Sequence, residues 1–64
     1  MMVNGVAREN SESLSIVELL QELAIGQRGI AVAVNGEIVR RSQWATTRIE
    51  PTDAVEIVTA MAGG

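Results

Sequence analysis

A chain of 64 residues, 47% of them hydrophobic and 20% charged, has room for one small core and lies far from the composition of a disordered segment. It has no cysteine and no histidine, which excludes a disulfide framework, a thiolate metal site and the commonest nucleophile and base pairs. Eight acidic residues against five arginines leave a formal charge of -3, the wrong sign for a nucleic-acid footprint, and no apolar run approaches a membrane span.

No basic start followed by an apolar stretch marks a secretory signal, so the expected location is the cytoplasm and the expected partners are proteins rather than nucleic acid or membrane. All the positive charges are arginines (Arg8, Arg28, Arg40, Arg41 and Arg48), so no side-chain amine is offered for isopeptide formation.

Along the chain, the first punctuation is Asn4-Gly5, flanked by apolar residues. Asn-Gly supplies positive φ at both centres of a type I′ turn, which predicts a hairpin joining residues 1–3 to 6–10. The stretch "SIVELLQELAIG" follows. Ser15 and Glu18 have the spacing of a capping box. Ile16, Leu19, Leu20 and Leu23 recur at helical spacing, with Val17 and Ala24 widening the stripe and Glu18, Gln21 and Glu22 on the far side. Gly26 suits the left-handed position that ends the helix. A single apolar face of about three turns is not stable alone, so it must lie across a sheet.

The sheet continues with a second predicted hairpin, residues 30–34 with 37–40, turned at Asn35-Gly36. Ile30, Val32 and Val34 are expected to face the helix, and Ala31 and Ala33 the shallow opposite side. Arg40 and Arg41 sit where charge discourages edge pairing. Trp44, the only aromatic residue, is expected to fill core volume that no phenylalanine or tyrosine supplies. Glu50-Pro51-Thr52-Asp53 reads as a turn, and residues 54–59 as a final strand with Val55 and Ile57 inward. That order places the last strand parallel to and beside the first. The expected fold is therefore α+β, a β-grasp (ubiquitin-like) domain over residues 1–59. It has a mixed sheet of four to five strands crossed by one main helix, and a flexible C-terminal arm over residues 60–64.

Nothing in the body of the domain has the pattern of a catalytic centre. Glu18 and Glu22 read as a solvated face, and Gly26 and Gly29 lack the context of a phosphate-binding loop. Gly63-Gly64 is different. A glycine carboxylate is the least hindered one a chain can present, and consecutive glycines pass through a channel too narrow for a Cβ. Coupling such a carboxylate requires activation by another protein, so the chain itself is not expected to be an enzyme. Val58 and Met61, beside the arm, form a candidate partner interface.

"VAVNGEIVRRSQW" followed by "IEPTDAVEIVTAMAGG", with the capped helix between the strands, resembles the ThiS family of ubiquitin-like sulfur carrier proteins over nearly the whole chain. The resemblance implies a carrier and co-substrate in the synthesis of the thiamine thiazole. A ThiF/E1-like adenylyltransferase, using ATP and magnesium, would activate the carboxylate of Gly64, with Gly63 and Ala62 threading its channel. Sulfur from a cysteine desulfurase would convert it to a thiocarboxylate, and the thiazole synthase ThiG would accept the sulfur. No cofactor would be bound tightly by the carrier. Two departures from the family's usual pattern are Thr52, where relatives have a glycine before the aspartate, and Ala62, where many have a glycine. Alternatives are the sulfur-carrier subunit of molybdopterin synthase, whose relatives are longer and richer in phenylalanine, a ubiquitin-like protein modifier, and a passive β-grasp binding module.

Overall fold

The computed structural model describes residues 1–9 and 13–59. The elements in chain order are β1 (Met2–Val3), β2 (Val6–Ala7), β3 (Leu14–Ser15), α1 (Ile16–Glu22), β4 (Ile30–Val34), β5 (Glu37–Val39), a single 3-10 turn (Arg41–Gln43), β6 (Arg48–Ile49) and β7 (Ala54–Thr59). Five strands form the main sheet in the order β2-β1-β7-β4-β5, and β3 pairs with β6 in a separate two-stranded ribbon. β1 and β7 run parallel, Val3 opposite Val55, whereas β4 is antiparallel to both β7 and β5. This is the β-grasp arrangement.

Both hairpins form where the Asn-Gly pairs lie. Asn4 and Gly5 have φ of 51° and 82°, and Asn35 and Gly36 have 52° and 86°, the doubly left-handed geometry of a type I′ turn. In the first hairpin Met2 and Val3 pair with Ala7 and Val6, and Met1 exchanges two hydrogen bonds with Arg8, its amino group donating to the Arg8 carbonyl at 3.0 Å and its carbonyl accepting the Arg8 N–H at 2.8 Å; residue 10 of the expected strand lies outside the described residues. In the second, β5 ends at Val39 because Arg40 leads into the 3-10 turn.

The helix begins as its sequence dictates. The Ser15 hydroxyl accepts the Glu18 backbone N–H at 3.0 Å, and the Glu18 carboxylate accepts the Ser15 N–H at 2.8 Å, closing the capping box. Its end departs from expectation. Leu23 is the C-cap, and the left-handed residue is Ala24 (φ 57°), two positions before Gly26. Ala24 N–H donates to the Gln21 carbonyl at 3.1 Å and Ile25 N–H to the Leu20 carbonyl at 2.9 Å, the paired bonds of a Schellman motif. Ile25 then packs back against the core. Satisfying Ile25 decides the stop, at the cost of an alanine in a conformation glycine prefers. Ala24 is consequently exposed and does not widen the apolar stripe.

Ile16, Leu19 and Leu20 of α1 pack with Val32 of β4, Val55 of β7 and Ile49 of β6 as the most fully buried side chains. Each such aliphatic side chain contributes about 1.5–3 kcal/mol through removal from water, which is how a seven-residue helix is held. Trp44 is core, as expected: 2% exposed, with its indole N–H donating to the Val39 carbonyl at 2.9 Å. The Arg41 guanidinium lies 6.0 Å from its ring centroid. The segment carrying Trp44 also caps the helix, since the Trp44 carbonyl accepts the Ile16 N–H at 3.1 Å.

Among the described residues no helix is long and apolar enough to cross a membrane.

Candidate functional site

β7 is the centre of the sheet and the strand that leads into residues 60–64. Its side chains alternate with a period of two: Val55 and Ile57 are buried beneath α1, while Ala54, Glu56 and Val58 face away. Because β4 and β5 are in register with it, Ala31 lies opposite Val58, and Ala33 lies opposite both Glu56 and Ile38. On the far side of β7, Met2 lies opposite Ala54. The alanines make this outer face shallow, so the larger apolar residues stand proud of it: Ile38 is 72% exposed and Val58 56%. The alternation expected of Ile30 to Val34 therefore has a functional corollary. The side of the sheet without a helix carries an apolar surface interrupted by Glu56.

The two asparagines of the turns do more than supply positive φ. Asn4 N–H donates to the Val55 carbonyl at 2.9 Å, and its side-chain amide then brackets Ile57, Oδ1 accepting the Ile57 N–H at 2.8 Å and Nδ2 donating to the Ile57 carbonyl at 3.1 Å. Asn35 acts at the other end of β7. Its N–H donates to the Ala54 carbonyl at 2.7 Å, its Oδ1 accepts the Ala54 N–H at 2.9 Å, and its Nδ2 donates to Asp53 Oδ1 at 3.0 Å. Residue spacing does not show these contacts, because they join positions 53 and 19 apart in the chain. The available signal is chemical: asparagine, unlike glycine or aspartate, brings both a donor and an acceptor to a turn.

Asp53 also accepts the Glu50 N–H on Oδ2 at 2.8 Å, and the Asp53 N–H donates to the Glu50 carbonyl at 3.0 Å. The turn at Pro51 is thus closed on both sides, and Thr52 adopts no left-handed φ, so its place in the turn is an ordinary one. The bond from the Glu50 N–H, then that from the Asn35 amide, holds the Asp53 carboxyl below its usual range. Glu18 is lowered as well, first by the Ser15 N–H and, after a smaller opposing effect of burial, by Arg48, whose guanidinium lies 3.6 Å away. Both shifts favour the ionised form, the opposite of what a general acid needs near neutral pH. Among the described residues no group of three or more histidine, cysteine, aspartate or glutamate side chains is placed to hold a metal ion.

Of the residues singled out in the sequence, Val58 stands exposed on the outer face at the end of β7. Met61, Ala62, Gly63 and Gly64 lie outside the described residues, as does the proposed arm over 60–64. The described residues end at Thr59 of the central strand, next to the exposed Val58.

The sequence model of the ThiS family matches residues 1–64, the whole of this chain. The chain belongs to the ThiS family. A crystal structure of the ThiS thiamine biosynthesis protein from Geobacter metallireducens superposes with a TM-score of 0.83 at 36% identity, covering 98% of this chain and 96% of that one. Its agreement with the five-stranded sheet and single helix places the ThiS chain's fold with that of a solved relative. The sulfur carrier protein ThiS of Escherichia coli K12 is 33% identical over 64 residues, covering all of this chain and 97% of that protein. A thiazole synthase of Paramagnetospirillum magneticum is 38% identical over the same length, but the chain spans only 20% of that protein.

Proposed function

We propose that this chain is a sulfur carrier, and that Gly64 is the atom-bearing end. In this reading a ThiF/E1-like adenylyltransferase, using ATP and magnesium, attacks the ATP α-phosphate with the Gly64 carboxylate, releasing pyrophosphate and leaving an acyl adenylate. The outer sulfur of a persulfide supplied from a cysteine desulfurase then forms the C–S bond as the C–O bond to AMP breaks, and a thiol acting as reductant cleaves the S–S bond of the resulting acyl disulfide, leaving a disulfide behind and giving a thiocarboxylate. Splitting one difficult substitution into two easier ones is the general use of a covalent intermediate. The thiocarboxylate sulfur is then donated to thiazole synthase, and the carrier acts throughout as a co-substrate in the cytoplasm.

The observation that carries the reading is the match of all 64 residues to the ThiS family. The geometry supports it in two ways. The two carboxyls with shifted titration, Glu18 and Asp53, are both held ionised by hydrogen bonds within turns and caps, which suits structural roles in a handle recognised by other catalysts. The exposed face around Val58 and Ile38 adjoins the strand from which residues 60–64 continue, so a partner docked there receives the arm at a defined point. Five extended residues reach roughly 16 Å, enough to enter a buried site from a docked body. Gly63 and Ala62 would pass through the channel, and Met61 would extend the docking face begun by Val58. That a thiazole synthase contains within one polypeptide a segment similar to this chain supports thiazole synthase as the acceptor, since tethering raises the effective concentration of carrier at the synthase.

The test is ATP–pyrophosphate exchange catalysed by the adenylating enzyme. The full chain is expected to support exchange, and a variant lacking Gly63 and Gly64 is expected to bind the enzyme yet support none. Equal exchange by both would overturn the reading.

A further inference from the structure

β1 is only two residues long, and the turn at Asn4 carries the main chain away from β7 just where a longer parallel partner would go on pairing. After Val55, the next β7 groups pointing to that side are the N–H and C=O of Ile57. Asn4 supplies both missing partners from its side chain, at 2.8 and 3.1 Å, so a carboxamide stands in for a strand residue and lengthens the ladder by one step. On the opposite side β4 pairs as far as Thr59. Ile57 is thereby held from both sides, three residues before position 60.

We propose that Asn4 is a positioning residue for the carrier function: its amide bracket on Ile57 steadies the end of β7 and so the direction in which the strand is aimed at Thr59, the residue that precedes the expected arm. The inference rests on the carrier reading above. Docking energy belongs to the outer face, whereas Asn4 lies at the margin of β1 and acts on the end of β7. Without the bracket β7 keeps only its pairing with β4 beyond Val55, so its last residues move more and the spread of directions at Thr59 widens. Small misplacements of a reacting group cost rate steeply. Removing the bracket is therefore expected to lower kcat for adenylation by about threefold to tenfold while leaving KM for the carrier within about twofold.

Asn35 provides an internal control, because it brackets the same strand at Ala54, the end remote from the arm. Asn4→Gly and Asn35→Gly each keep a left-handed turn and delete two side-chain bonds, those of Asn4 to the Ile57 N–H and carbonyl and those of Asn35 to the Ala54 N–H and Asp53, so both are expected to lower stability similarly. Only Asn4→Gly is expected to lower kcat, and only it is expected to speed amide exchange at Ile57, Val58 and Thr59 in the free chain. Equal kcat loss in the two variants would make the effect one of general stability and overturn the assignment, as would an Asn4→Gly variant with unchanged kcat and unchanged exchange. If Asn4→Gly is not populated as a folded species, Asn4→Asp retains the shape but removes the donor to the Ile57 carbonyl, and the same kcat and exchange criteria apply. If the unaltered chain is not adenylated at all, the carrier reading fails, and the exchange measurement still decides whether Asn4 tethers Ile57.

Discussion

Replacement of Val58 separates docking from folding, because the residue is exposed on the face opposite the helix while its neighbour Ile57 is buried. Complete burial of an apolar side chain is worth about 0.8 kcal/mol per methyl or methylene group. Val58 is 56% exposed, so about half of that gain remains for a partner to complete. Val58→Ala removes two methyl groups and is expected to weaken binding to the adenylating enzyme by about 0.8 kcal/mol, roughly fourfold in Kd. Val58→Asp also brings a polar group into an apolar contact, costing about 2 kcal/mol or more, so Kd is expected to rise about thirtyfold or further. Neither change removes a core contact, and folding stability is expected to move by about 1 kcal/mol or less. Ile57→Ala is the converse: about 2–5 kcal/mol of stability lost, with the affinity of the folded fraction kept. Calorimetric titration of the enzyme with each variant, beside a thermal melt, gives both quantities. A folded Val58→Asp chain that binds with unaltered Kd would refute the placement of the interface on this face.

Three further outcomes test the physical account of the fold. Ser15→Ala removes the hydroxyl that accepts the Glu18 N–H and is expected to cost about 1 kcal/mol, lowering the melting temperature by about 4–8 °C in a melt followed by Trp44 fluorescence; an unshifted melt would contradict the cap. Ala24→Gly relieves a left-handed alanine and is expected to stabilise the chain by about 0.5–1 kcal/mol in denaturant titration, so a loss of stability would show that the alanine methyl makes a contact worth more than its strain. Asp53 has a depressed folded pKa, so its stabilisation is complete above the unfolded value of about 3.9 and is lost as pH falls through the lower folded value. Asp53→Asn is expected to make the acid limb of the stability curve shallower without abolishing it, since Glu18 is shifted in the same direction; an identical acid limb in the variant would contradict the role given to Asp53.

What the sequence makes legible is local chemistry with a fixed geometry. Asn-Gly demands two left-handed residues, and both turns form as read. The spacing of Ser15 and Glu18 specifies a cap, and the alternation of valine with alanine in β4 specifies which side of the sheet is bare. What it hides depends on contacts between distant residues. The pairing of Leu14 with Ile49 and Ser15 with Arg48 leaves no periodic trace because each strand has two residues, yet it buries Ile49 completely. Gly26 is the better residue for a helix stop, but Ile25 must reach the core, and burial outweighs the backbone preference. The amide brackets of Asn4 and Asn35 are invisible for the same reason: a turn motif is read from neighbours, whereas its side-chain partners lie on a strand folded back from the far end of the chain. The candidate site is split along that line. Val58 falls on an exposed face through the period of a strand, while the position that tethers the strand beneath it emerges only in three dimensions.

The central claim concerns a single carboxylate, and intact-mass spectrometry of the chain after incubation with ATP, magnesium, the adenylating enzyme and a sulfur donor tests it most directly. The account predicts a mass increase equal to exchange of one oxygen for one sulfur, located at Gly64 by fragmentation and absent without ATP. Sulfur found elsewhere in the chain, or an unchanged mass under conditions that convert the Escherichia coli relative, would contradict it.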